Sequence, residues 1–166
     1  MDKVKLLRIV FFILMILTCI TIFCFSNQNG EESKGVSGRV IRKVIDIFPG
    51  TKNKSEEEKV EITEQLQLLV RKLAHFSIYT ILGITSTGFI NTFSIKNKSK
   101  IGIAFLIGFL YAISDEIHQM FSSGRSARVF DVCIDSCGVA FGIFLTFLVI
   151  VVYRKIKEKK LERSIS

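Results

Sequence analysis

Four apolar segments, each long enough to cross a bilayer, constrain this chain more than any other feature. The first is unbroken from about Ile9 to Phe25, and spans are expected at about 7–25, 73–93, 101–121 and 132–153. A hydrocarbon core about 30 Å thick is crossed by about 20 apolar residues in a helix. In lipid every backbone N–H and C=O must be paired within the protein, which leaves helices or closed barrels. The expected fold is therefore all-α: an integral membrane bundle of four transmembrane helices, forming a single domain over 166 residues. A hydrophobic content of 49% and a mean hydropathy of +0.42 fit that class better than a soluble one.

The charges fix an expected orientation. Lys3, Lys5 and Arg8 precede the first span, Lys96, Lys98 and Lys100 separate the second from the third, and six basic residues against two acids follow from Arg154 onward. Basic residues collect on cytoplasmic loops, so both termini are expected inside in a multi-pass protein of the cell membrane. Cationic excess of this kind (net +8) serves an anionic inner leaflet, and no nucleic-acid partner is expected. A basic start before an apolar run also fits a signal peptide. No small-x-small cleavage site follows Ile22-Phe23-Cys24-Phe25-Ser26-Asn27, so an uncleaved first helix is expected. The four cysteines have no zinc-finger spacing and suggest no disulfide framework.

The outer loop, about 26–70, has order of its own. Val40, Ile41, Val44, Ile45 and Phe48 recur at helical spacing before Pro49-Gly50, which predicts a short amphipathic helix, on the membrane surface or packed on its own protein. Ser55-Glu56-Glu57-Glu58 has the capping-box pattern, and one long helix is expected to run from it into the second span.

Polar residues interrupt the spans at one end. Asp115-Glu116-Ile117-His118-Gln119 closes the third span, Arg125 and Arg128 lie in the turn after it, and Asp131 and Asp135 open the fourth. Each ionisable side chain in lipid costs roughly 2.5–3.5 kcal/mol on insertion scales. Helical periodicity places Arg71, Lys72, His75, Tyr79, Gly83 and Ser86 on one face of the second span. Gly108, Tyr111, Asp115 and Gln119 share a face of the third, with His118 beside them and Glu116 at the edge; Asp131, Asp135, Gly138 and Gly142 form a strip on the fourth. Polar faces in lipid turn toward one another, and Gly138-x-x-x-Gly142 permits close helix approach. The pattern describes a polar pocket between three helices, open outward.

Lys72-Leu-Ala-His75-Phe-x-x-Tyr79, Asp115-Glu116-x-His118-Gln119-x-Phe121-x-x-Gly124-Arg125, and Asp131 with Gly138 and Gly142 together resemble the VanZ-like family, as does Ser26-Asn27-Gln28 after the first span. The resemblance covers about Phe25 to Gly142 and departs from the family pattern at Ser123, where proline is common, and at Asp135, where asparagine is more usual. It implies a bacterial cell-envelope membrane protein of a family linked to resistance against the glycopeptide teicoplanin, with no reaction attached.

Three readings of the polar cluster stay open. One is an ion-pair network that locks the helices of a structural membrane adaptor without a ligand. In the second, Lys72, Tyr79, Gln119, Arg125, Asp131 and Asp135 bind an envelope ligand, with the Arg125 fork suited to phosphate; the expected partners are membrane lipids and a lipid-linked cell-wall precursor. In the third, His75, Asp115 and Glu116 act as acid–base groups on a phosphate-bearing lipid. Metal held by His75, His118 and carboxylates is chemically allowed, but the spacing matches no zinc signature, so no metal and no cofactor are expected. Ser122 and Ser123 read as turn chemistry rather than nucleophiles.

Overall fold

The computed structural model describes residues 2–27, 30–121 and 128–165. Among them are five helices and no strand: α1 (Lys3–Ser26), α2 (Gly30–Ile47), α3 (Glu56–Asn91), α4 (Asn97–Gln119) and α5 (Val129–Ile165). α1, α3, α4 and α5 are each long and apolar enough to cross a membrane. Leu17, Ile20 and Phe23 on α1, Leu106 and Leu110 on α4, and Phe144 and Val149 on α5 are exposed. An apolar belt on this scale is the surface of a chain solvated by lipid rather than water.

α3 starts as its sequence requires. The Ser55 hydroxyl accepts from the Glu58 amide at 3.2 Å, and the Glu58 carboxylate accepts from the Ser55 amide at 3.0 Å. The helix then continues unbroken for 36 residues, roughly 54 Å at 1.5 Å per residue. That exceeds the hydrocarbon core, so its acidic first turns stand clear of the apolar belt. At the opposite end of the bundle α5 continues to Ile165, which makes the basic tail a helical extension of the last span.

α2 is longer than the short helix expected around Val40–Phe48, and it ends at Ile47, ahead of Pro49. Ile41 and Ile45 are buried, while Val40, Val44 and Phe48 remain exposed. The helix packs on α3. Arg42 pairs with Glu56, and Lys59 donates to Asp46 at 3.0 Å. That hydrogen bond from Lys59 holds the Asp46 carboxyl below its ordinary range.

α3 is the hub and touches all four other helices. Its contact with α5 is close because glycines allow it. A Cβ at Gly142 would overlap the Thr80 carbonyl, one at Gly138 would stand 2.5 Å from the Phe76 carbonyl oxygen, and one at Gly83 would overlap the Val139 carbonyl. The small-residue stripe read from Gly138-x-x-x-Gly142 thus lies against α3 backbone. Serine and threonine hydroxyls in the middle of α3 bond to carbonyls of the same helix, as in Thr80 to the Phe76 carbonyl (2.8 Å) and Thr87 to the Gly83 carbonyl (2.6 Å), so these side chains fit an apolar interior. At the end away from the acidic cluster, Arg8 donates to the Thr92 hydroxyl and carbonyl, both at 3.1 Å, and lies over the Phe93 ring.

Gly142→Ala should therefore destabilise the bundle by about 1–3 kcal/mol, the usual cost of overpacking. Gly102→Ala, where a Cβ meets nothing within 4 Å, should leave stability unchanged or slightly raised. Reversible unfolding of both variants in detergent measures the difference.

Candidate functional site

The polar residues collect where α3 leaves the apolar belt, α4 ends and α5 begins. The chain reverses direction between successive spans, so a position late in α4 and one early in α5 fall at the same level as the middle of α3. Helical spacing then turns His75 and Tyr79, Asp115 and Gln119, and Asp131 and Asp135 inward. Asp115, Glu116, Gln119, Asp135 and Tyr79 are buried, and Lys72, His75 and Asp131 are half-buried. Eight of the nine site residues expected from sequence thus meet at one end of the bundle. The ninth, Arg125, lies in 122–127, outside the described residues, as do Ser122 and Ser123.

The contacts connect all three faces. Lys72 Nζ stands 3.1 Å from Asp131 Oδ1, an ion pair whose angle lies outside that of a hydrogen bond, and 4.4 Å from the centre of the Phe130 ring. His75 Nδ1 lies 3.8 Å from Asp135 Oδ1. Gln119 donates to Asp115 Oδ2 at 3.1 Å, and the Arg128 amide donates to Glu116 Oε2 at 2.9 Å. The Tyr79 hydroxyl faces the Asp115 and Asp135 carboxylates.

α1 is a fourth wall that sequence reasoning left out. Gln119 also donates to the buried Ser26 hydroxyl at 3.3 Å, and Tyr111 donates to the Cys19 carbonyl at 2.6 Å. His118 stacks on Phe23 with ring centroids 4.6 Å apart, turned toward α1. Ser26 carried a signal, since it opens the Ser26-Asn27-Gln28 stretch in an otherwise apolar neighbourhood. The Cys19 carbonyl carried none, because a backbone acceptor has no sequence signature.

Two cavities flank the cluster. A polar one of about 40 Å³ is lined by Lys72, His75, Glu116, Gln119, Asp131 and Asp135, together with Leu68, Arg71 and Ile134. An apolar one of about 260 Å³ lies between α1, α2 and α3, lined by Ile22, Phe25, Val36, Val40, Val70, Ala74 and Ile78, with Ser37. Arg71 and His75 line both.

With this geometry in place, a family model described as VanZ/LLP1 matches residues 11–151. The chain belongs to the VanZ/LLP1 family. The match reaches into all four membrane helices and covers the whole polar cluster, so the chain is VanZ-like well beyond its separate motifs. No curated protein and no solved structure matches this VanZ/LLP1 member. Its setting as a VanZ-like envelope membrane protein with several membrane-crossing helices follows from the family and the fold together.

The Lys72–Asp131 pair is the clearest ionic tie between α3 and α5. A double-mutant cycle with Lys72→Met and Asp131→Asn should give a coupling of about 1 kcal/mol, as expected for a partly exposed pair. Additive effects of the two substitutions would contradict the pairing.

Proposed function

We propose that this VanZ/LLP1 member binds a phosphate-bearing envelope lipid or lipid-linked cell-wall precursor at the end of the bundle that carries the polar cluster. The observation that carries this reading is the sharing of Arg71 and His75 between an apolar cavity and a polar one. An amphipathic ligand needs that pairing: a dry groove for a chain and, beside it, donors for a charged head. Arg71 supplies a guanidinium fork for phosphate oxygens. Lys72 and Arg128 add positive charge on the same end, and Arg125 joins them by sequence position.

In this proposal the chain is one membrane domain with both termini in the cytoplasm and the polar end facing outward. The exposed Val40 and Val44 of α2, with Phe48 just after it, then rest in the outer interface, beside the apolar cavity. Occupying or altering such a ligand would lower susceptibility to teicoplanin-type glycopeptides in a bacterial host, as the family resemblance implies. A second reading, acid–base chemistry on the same headgroup by His75 with Asp115 or Glu116, is favoured by the position of His75. It reaches both cavities, with the buried Glu116 lining the polar one beside it and the buried Asp115 close to its ring.

Native mass spectrometry of the protein extracted from its own membranes tests the binding. A phosphate-bearing lipid should co-purify with the wild type, and its occupancy should fall at least about tenfold in Arg71→Glu combined with Arg125→Glu, the loss of about 1.4 kcal/mol or more. Equal lipid occupancy in wild type and variant would defeat the proposal.

A further inference from the structure

Three donor side chains on three helices converge beside the polar cavity. His75 of α3, Asp115 of α4 and Asp135 of α5 each place one ligand-capable atom within 4.8 Å of the other two. The His75 Nδ1 to Asp135 Oδ1 distance is 3.8 Å. Donors bound to zinc at about 2.0–2.2 Å stand roughly 3.4 Å apart in a tetrahedron. Small side-chain rotations therefore close the set around an ion.

A second observation points the same way. Asp135 is 1% exposed, and its Oδ2 is buried without a hydrogen-bond partner. The Tyr79 hydroxyl, fully buried, faces Asp115 and Asp135 without a hydrogen bond of normal geometry. A carboxylate oxygen left so in an apolar bundle is costly. Two other charged pairs of the cluster are made among the described residues: Lys72 with Asp131, and Glu116 with the Arg128 amide.

We propose that His75, Asp115 and Asp135 bind one divalent cation of the zinc or manganese class. An imidazole nitrogen with two carboxylate oxygens is a mixed donor set that such ions accept, whereas magnesium and calcium favour oxygen alone. Two carboxylates, a neutral imidazole and a dication sum to zero charge, which suits a membrane interior. Three protein ligands leave a coordination position open, and the adjoining cavity of about 40 Å³ has room for a water there. The ion itself does not depend on the lipid reading; a phosphate oxygen taking the open position would rest on it.

The test uses the full chain purified in chelator-stripped, phosphate-free detergent with no added lipid, titrated with Co²⁺, Zn²⁺ and Mn²⁺. One ion per chain should bind, Co²⁺ should give a visible ligand-field absorption, and Zn²⁺ should displace it. His75→Gln and Asp135→Asn should each weaken binding at least about tenfold, while His118→Gln should stay close to wild type. Should Asp135→Asn fail to fold, His75→Cys in a chain whose native cysteines are replaced by serine reads the same site, because Co²⁺ there should then show a thiolate charge-transfer band. Folded wild-type protein that takes up no stoichiometric ion would overturn the proposal, as would unchanged affinity in His75→Gln or a missing thiolate band in His75→Cys. A negative result here leaves lipid co-purification untouched, so the two readings fail separately.

Discussion

A carboxylate inside a lipid-solvated bundle must find a partner or give up its charge, and this chain carries four of them at one end. Asp115, Glu116, Asp131 and Asp135 sit within about one helical turn of each other's level. Each meets a different answer. Asp131 has the Lys72 ammonium, Glu116 a backbone amide, Asp115 the Gln119 side chain, and Asp135 a histidine on the facing helix. The two α5 acids draw their partners from α3, so Asp131 and Asp135 are tolerable only with α3 seated beside them.

The rest of the fold serves that seating. Glycines on α5 and α3 let backbones approach at Phe76, Thr80 and Val139, which brings the strip of Asp131 and Asp135 up to Lys72 and His75. Arg8 clamps the far end of α3 to α1, so the hub helix is held at both ends. α2 packs Ile41 and Ile45 on the part of α3 that stands clear of the belt and closes the apolar cavity with Val36 and Val40. Arg71, Lys72 and His75 therefore rest on one helix packed on both sides, and the apolar and polar cavities meet at two residues, Arg71 and His75.

Much of this was legible in the sequence because helical periodicity and lipid solvation leave few alternatives. The four spans, the unbroken helix from Ser55, and the convergence of Lys72, His75, Tyr79, Asp115, Gln119, Asp131 and Asp135 all follow from spacing and charge. What escaped depends on relations between helices. α2 begins well before Val40 because a glycine- and charge-rich stretch carries no apolar stripe to announce it. The participation of α1 rests partly on a backbone carbonyl. The proximity of His75, Asp115 and Asp135 could not be read as a metal-ligand pattern, because each stands alone on its own helix and the chain spacing between them is set by the connections.

The convergence of α3 and α5 at the acidic cluster is the claim on which the site depends. Disulfide trapping tests it most directly: His75→Cys and Asp135→Cys together, in a chain whose native cysteines are replaced by serine, with a protease site introduced between α3 and α4 and the protein kept in its own membranes. The structure predicts that mild oxidation joins the two positions, so the cleaved halves stay linked until reduced. Halves that separate without reductant, or that link instead when position 75 is paired with the outward-facing position 133, would contradict it.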